Sequence, residues 1–246
     1  MNFDRLDALK SRLDGYRPLP DSVVRNLHDE LVLQWTYNSN AIEGNTLTLK
    51  ETKVALEGVT IGGKSLREHF EVVNHREAIG FVEQLVENTG ALTQWDIKSL
   101  HQLILKGIDS ENAGRYRNVN VLISGARHRP MDALHVPQAM AEFIAWHESE
   151  GAALHPVERA ARVHAEFVKI HPFVDGNGRT SRLLMNLELL KAGFPAAVIT
   201  VAQRLSYYEA LDQAHCDGNY DPFLNLVAEA VEQSFAPYWW ALGVEA

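Results

Sequence analysis

HPFVDGNGRTSR, His171 to Arg182, places a histidine, an aspartate, a Gly-Asn-Gly triplet and two arginines directly ahead of the apolar run LLMNLELL. Gly176, Asn177 and Gly178 stand where a helix begins. Small residues let backbone N–H groups approach a ligand closely, and a helix start carries unpaired donors and partial positive charge. Arg179 and Arg182 lie three apart and project from nearly one face, which Asn186 shares. Two guanidinium forks beside an anion nest fit a di- or triphosphate. Asp175 adds one carboxylate, and a carboxylate beside bound phosphates is a common way to hold Mg²⁺. His171 titrates near neutrality and can take a proton from an attacking hydroxyl. Taken singly, these residues read as a structural histidine, a turn and a solvated helix face. Together they predict nucleotidyl or phosphoryl transfer.

Outward from this stretch the periodicity is helical. A long helix is expected over 21–43, with Val24, Leu27, Leu31, Trp35 and Ile42 on one stripe, Asp21 or Ser22 as its cap and Gly44 as its stop. A second begins at Ser65, with Glu68 completing a capping box, and runs through Glu87. A third begins at Thr93, with Asp96 in the corresponding place. Alternation at Val119, Val121 and Ile123, interrupted by Gly125 and Pro130, predicts a β-hairpin flap with a wide turn over 118–136. Helices resume near Pro137 and Pro156. In the second of these Val157, Ala160, His164, Phe167 and Val168 share a face, which makes His164 a satisfied core histidine. The helix opening inside the quoted stretch buries Leu184, Leu187 and Leu190 and stops before Gly193. Two more follow, near Ser206–Cys216 and Asp221–Phe235. The expected fold is mainly α, a helical bundle with one small hairpin.

The chain has 246 residues, 46% of them hydrophobic, enough for one sizeable core or a core with an N-terminal extension. A net charge of −9 argues against non-specific nucleic-acid or membrane partners but leaves room for a local basic pocket. The single cysteine, Cys216, excludes an internal disulfide and a thiolate metal cage and fits a reducing compartment. No apolar run approaches membrane-spanning length and the start is charged. The expectation is a soluble, cytoplasmic protein.

The quoted stretch resembles the signature of Fic domain proteins, H-x-F-x-D/E-G-N-G-R-x-x-R, at every fixed position: His171, Phe173, Asp175, Gly176, Asn177, Gly178, Arg179 and Arg182. The resemblance implies a Fic-fold helical bundle with a β-hairpin flap, and AMP transfer from ATP to a Ser, Thr or Tyr hydroxyl of a protein. It implies His171 as the base, Asp175 as the Mg²⁺ ligand, Gly176, Asn177 and Gly178 around the phosphates, and Arg179 and Arg182 on the β and γ groups. Phe173 would anchor the loop. Relatives that transfer phosphate instead carry a lysine at the position of Gly178, so the glycine favours AMP transfer.

Upstream, Ser39-Asn-Ala-Ile-Glu43-Gly44 closes the first long helix. A carboxylate there faces the negative end of the helix dipole, an unfavourable placement. The stretch is similar to the family's inhibitory motif, S/T-x-x-x-E-G/N, with Ser39, Glu43 and Gly44 matching. The resemblance implies autoinhibition in cis, with Glu43 paired to Arg179 in the place of the γ-phosphate. It also implies that Glu43 supports the reverse reaction, removal of AMP. The resemblance further implies target docking on the flap 118–136, Tyr207 at the adenine pocket, and dimers through the core. His128 and His135 are expected to face solvent, and Glu71 and Asn74 to brace loops. The chain divides into an N-terminal region 1–60, a catalytic core 61–236 and a tail 237–246, where Trp239 and Trp240 pack on the core or a second subunit. The competing readings are another phospho-group transferase on the same scaffold and a non-catalytic ATP sensor.

Overall fold

The computed structural model describes residues 2–88 and 90–245; Met1, Thr89 and Ala246, the last residue of the tail segment, lie outside it. Among the described residues eleven α-helices follow one another: α1 Asp4–Asp14, α2 Asp21–Ile42, α3 Leu49–Leu56, α4 Leu66–Glu87, α5 Gln94–Ile104, α6 Val136–Glu148, α7 Pro156–Ile170, α8 Asn177–Lys191, α9 Arg204–Asp217, α10 Asp221–Gln233 and α11 Ala236–Leu242. Local chemistry sets several starts. Ser65 with Glu68, and Thr93 with Asp96, form the expected capping boxes, and Thr48 with Glu51 forms a third at α3. Pro137 and Pro156 sit in the first turns of α6 and α7. The expected side-chain cap on α2 is absent: Asp21 is already helical and Pro20 precedes it.

α8 is the axis of the fold. It packs against α7, α4, α5 and α2. The expected leucine stripe is therefore too narrow, because Leu183, Met185, Glu188 and Leu189 are buried as well. A helix buried on all sides needs apolar residues all round or paired polar ones. Of its several buried polar residues, Glu188 is held by His147 of α6 at 2.8 Å and Arg159 of α7 at 2.6 Å. α2 lies across α4 and α8. Only its second half is buried; Val24, expected on the core stripe, is exposed. α1 and α11, which periodicity did not predict, pack on α10 and α2 respectively, and Trp239 is buried while Trp240 is exposed. Phe3, Leu13, Trp35 and Ile42 join the same core as α7 and α8.

No strand is present among the described residues, which corrects the hairpin expected over 118–136. Its two arms are bridged by side chains rather than by a backbone ladder. Arg117 Nη1 donates to Val119 O (3.0 Å) and Nη2 to Met131 O (2.6 Å). Asn120 Oδ1 accepts from Ala133 N (2.8 Å). At the tip, Asp212 of α9 accepts from the N–H groups of Arg127 and His128 at 2.9 and 3.2 Å. Backbone groups that a ladder would pair are thus spent elsewhere.

Among the described residues five histidines are held neutral, three of them buried (His75, His101, His164) and two partly buried (His171, His215). Burial pushes His101, His171 and His215 down to about 4, and His75 and His164 well below the ordinary imidazole value. The unfolded chain protonates them near pH 6.5. Their folded values are depressed, so stability is full above pH 6.5 and falls as pH drops toward 4. Urea denaturation between pH 7.5 and 4.5 is expected to show unfolding coupled to uptake of roughly three or more protons. A flat stability curve over that window would contradict this account.

Candidate active site

α7 ends at His171, the one non-glycine residue with positive φ among those described (φ 53°, ψ 59°). A left-handed residue at this point stops the helix and turns the chain into the loop. Arg117, buried beneath, holds it there: its Nε donates to His171 O at 2.8 Å, and its own N–H donates to Pro172 O at 2.9 Å. Phe173 is fully buried and stacks on His101, ring centroids 3.6 Å apart, which bears out its role as an anchor. His101 Nδ1 accepts from Gly114 N (3.0 Å), which leaves Nε2 as the protonated atom donating to Asp175 O (2.9 Å). Its depressed pKa keeps that neutral tautomer in place.

The Asn177 side chain closes the loop. Its Oδ1 accepts from Phe173 N at 2.9 Å and its Nδ2 donates to Phe173 O at 2.8 Å. The side chain expected at the phosphates is thus spent on the loop, and what Asn177 offers outward is its backbone N–H. Gly176 is left-handed (φ 80°), and a Cβ there would press on Ile104 and His101. Asn186 also turns inward, bonding both N and O of Ala197.

Both arginines of the signature are buried. Arg179 is 2% exposed, and its Nε and Nη1 find no hydrogen-bond partner among the described residues. Its nearest carboxylates are Asp175 at 3.3 Å and Glu71 at 3.5 Å. Arg182 is fully served: Nε donates to Ser39 Oγ (3.0 Å), Nη2 to Ser39 O (2.8 Å) and to Glu43 Oε1 (2.8 Å), and Nη1 to Tyr207 Oη (3.2 Å).

The pairing expected for Glu43 is corrected here: it meets Arg182, not Arg179. Arg179 is turned toward Asp175 and Glu71, while the end of α2 arrives over Gly178. A Cβ on Gly178 would overlap Glu43 Oε1. Gly44, at φ 99°, releases the chain from the helix immediately afterwards. Ser39 and Glu43 therefore both bond Arg182, and Glu43 also covers Gly178, in the first turns of α8.

Tyr207 was expected to wall the adenine pocket. Its hydroxyl instead lies 3.0 Å from His164 Nε2 as well as against Arg182, with the ring buried. Tyr208 is the half-exposed ring, and its hydroxyl donates to Ile42 O (3.1 Å). His164 is a core residue, shared with Ser181 Oγ at 3.0 Å. His128, expected in solvent, is tied to Lys169 O at 2.9 Å, while His135 is exposed.

Asp175 is held from three sides. Oδ1 accepts from Gly176 N (2.6 Å) and Arg179 Nη2 (3.3 Å); Oδ2 accepts from Arg67 Nη2 (2.6 Å). Burial raises its pKa, but Arg179, the Gly176 N–H and Arg67 together hold it below the usual carboxylate value. Arg67 was not singled out from the sequence. Its pair with Glu71, four residues on in α4, was the available signal. Burial pushes His171 down to about 4, with the Arg117 charge adding to the effect, so the imidazole is an unprotonated acceptor at neutral pH.

A family model described as Fic/DOC family matches residues 91–189. A Fic domain-containing signaling protein from Bacteroides thetaiotaomicron superposes with a TM-score of 0.90 at 29% identity, covering 98% of this chain and 97% of that one. Fic-1 of C. elegans (residues 134–508) superposes with a TM-score of 0.88 at 32% identity, covering 98% of this chain and 72% of that one. The protein adenylyltransferase Fic of Drosophila melanogaster is 37% identical over 241 residues, which is 96% of this chain. The chain spans about half the length of such curated relatives, 48% in the Drosophila case. With the signature and its geometry in place, these likenesses establish that the chain belongs to the Fic/DOC family.

Proposed function

We propose that the chain is a protein adenylyltransferase that transfers AMP from ATP to a protein hydroxyl and is restrained by its own α2. The observation that carries this reading is a carboxylate already seated where a ligand's anion belongs. Glu43 Oε1 rests over Gly178 at the start of α8 and bonds Arg182 at 2.8 Å. Released from Glu43, Arg182 becomes a buried cation without its counter-charge, beside the free N–H groups of a helix start. A polyphosphate fits that position. The curated relatives that match nearly the whole chain are named protein adenylyltransferases, which supports the same chemistry.

In the proposed reaction a target hydroxyl oxygen bonds to the α-phosphorus while the bond from that phosphorus to the bridging oxygen of the β-phosphate breaks. Pyrophosphate leaves and the hydroxyl proton passes to neutral His171. Arg179 and Arg182 hold the departing phosphates. No trio of potential metal-binding side chains occurs among the described residues. A single carboxylate suits Mg²⁺, which keeps most of its waters and shares phosphate oxygens, so Asp175 is the residue that would hold it. Bound there, the ion would neutralise phosphate charge. The flap, with Leu122 and Leu134 exposed, is the proposed place for the target segment. Gly178 weighs against γ-phosphate transfer, because it lacks the cation that phosphate-transferring relatives carry at this position.

Incubation with α-labelled ATP and Mg²⁺ tests the reading. Glu43→Gly is expected to raise protein labelling roughly tenfold or more, a shift of about 1.4 kcal/mol per decade. Equal labelling of the parent and the variant would remove the autoinhibitory part. Adding His171→Ala is expected to lower labelling by about 10²–10⁴. Label carried from the γ-phosphate instead would favour the alternative transferase. In the Glu43→Gly protein, kcat/KM should hold its plateau below pH 6.5, because His171 loses its base function only as pH falls toward 4. An acid limb centred at 6.5 would contradict the assigned environment of His171.

A further inference from the structure

We propose that Arg67 occupies the place of the divalent cation on Asp175 and so sets how strongly the site responds to metal. This rests on the proposed role of Asp175 as the Mg²⁺ ligand. Arg67, Asp175, Arg179 and Glu71 form a closed ring of alternating charge. Arg67 Nη2 meets Asp175 Oδ2 at 2.6 Å, Asp175 Oδ1 meets Arg179 Nη2 at 3.3 Å, Arg179 Nη1 meets Glu71 Oε1 at 3.5 Å, and Glu71 Oε1 meets Arg67 Nε at 3.2 Å. Two cations and two anions leave the ring neutral without any ion from solution.

The four members are not equally free. Arg179 is 2% exposed and fixed in α8, whereas the Arg67 side chain is 57% exposed near the start of α4. Among the described residues Arg67 alone reaches the Asp175 carboxylate from outside the loop and α8. Oδ2 has Arg67 as its single partner. An arriving dication competes for that oxygen, and the long, exposed Arg67 side chain is the group that yields. Its Nε contact with Glu71 gives it a place to remain when it does. The competition is an exchange of cations on one carboxylate and involves no covalent step.

The test measures binding rather than turnover. In the Glu43→Gly protein, calorimetry gives the dissociation constant of a non-hydrolysable ATP analogue with Mn²⁺ and again in EDTA. The ratio of the two constants is the metal's contribution, and general effects of Arg67 on anion binding cancel from it. Arg67→Gln is expected to raise the ratio roughly three- to fivefold, the upper range for a partly exposed ion pair. Arg67→Lys, which keeps the charge, should leave it near the parent value. A ratio unchanged or lowered by Arg67→Gln, or raised equally by Arg67→Lys, overturns the proposal. Asp175→Asn separates the two levels. If it collapses the ratio while Arg67→Gln does nothing, only the role of Arg67 fails. If it leaves the ratio intact, the metal assignment to Asp175 fails and this inference with it.

Discussion

A guanidinium cannot shed its proton, so burying Arg182 obliges the surrounding helices to supply acceptors. α2 supplies Ser39 Oγ, Ser39 O and the Glu43 carboxylate, and α9 supplies the Tyr207 hydroxyl. α8, which carries the arginine, is thereby fastened to elements distant from it in the chain. Tyr207 passes the bonding on to His164 of α7, which in turn meets Ser181 of α8. One buried charge thus ties four helices together. Under the proposed function the same charge clamps the nucleotide, which would make the packing of α2 and the occupancy of the site one equilibrium rather than two.

The loop, by contrast, is rigid without help from a ligand. Asn177 fastens Phe173 through both amide atoms, and Phe173 is stacked on His101. Gly176 and His171 hold left-handed backbone conformations. Preorganised donors cost little reorganisation when charge arrives. Arg67 is an exposed charged group beside this frame.

The sequence revealed most where local chemistry decides the structure. Ser65 with Glu68 and Thr93 with Asp96 carry the starts of α4 and α5 in four residues each, and the Gly-Asn-Gly triplet carries the start of α8. It revealed less where contacts span the chain. Glu43 and Arg182 are 139 residues apart, and only their arrival angle over Gly178 decides which arginine the carboxylate meets. The flap misled because alternation at Val119, Val121 and Ile123 satisfies a strand pattern, while Arg117 and Asn120 take the bonds a strand would need. Tyr207 and Tyr208 are adjacent, and periodicity alone does not tell which ring is drawn under Arg182. α1 and α11 are held by contacts that span the chain, on α10 and α2 respectively.

Arg117 is bonded at once to His171 O, to Val119 O on one arm of the flap and to Met131 O on the other. One side chain therefore sets the origin from which both His171 and the flap are measured. The stretch between those two carbonyls can be exchanged like a tool head in a fixed chuck. Residues between 119 and 131 can thus change while the anchor of His171 stays in place.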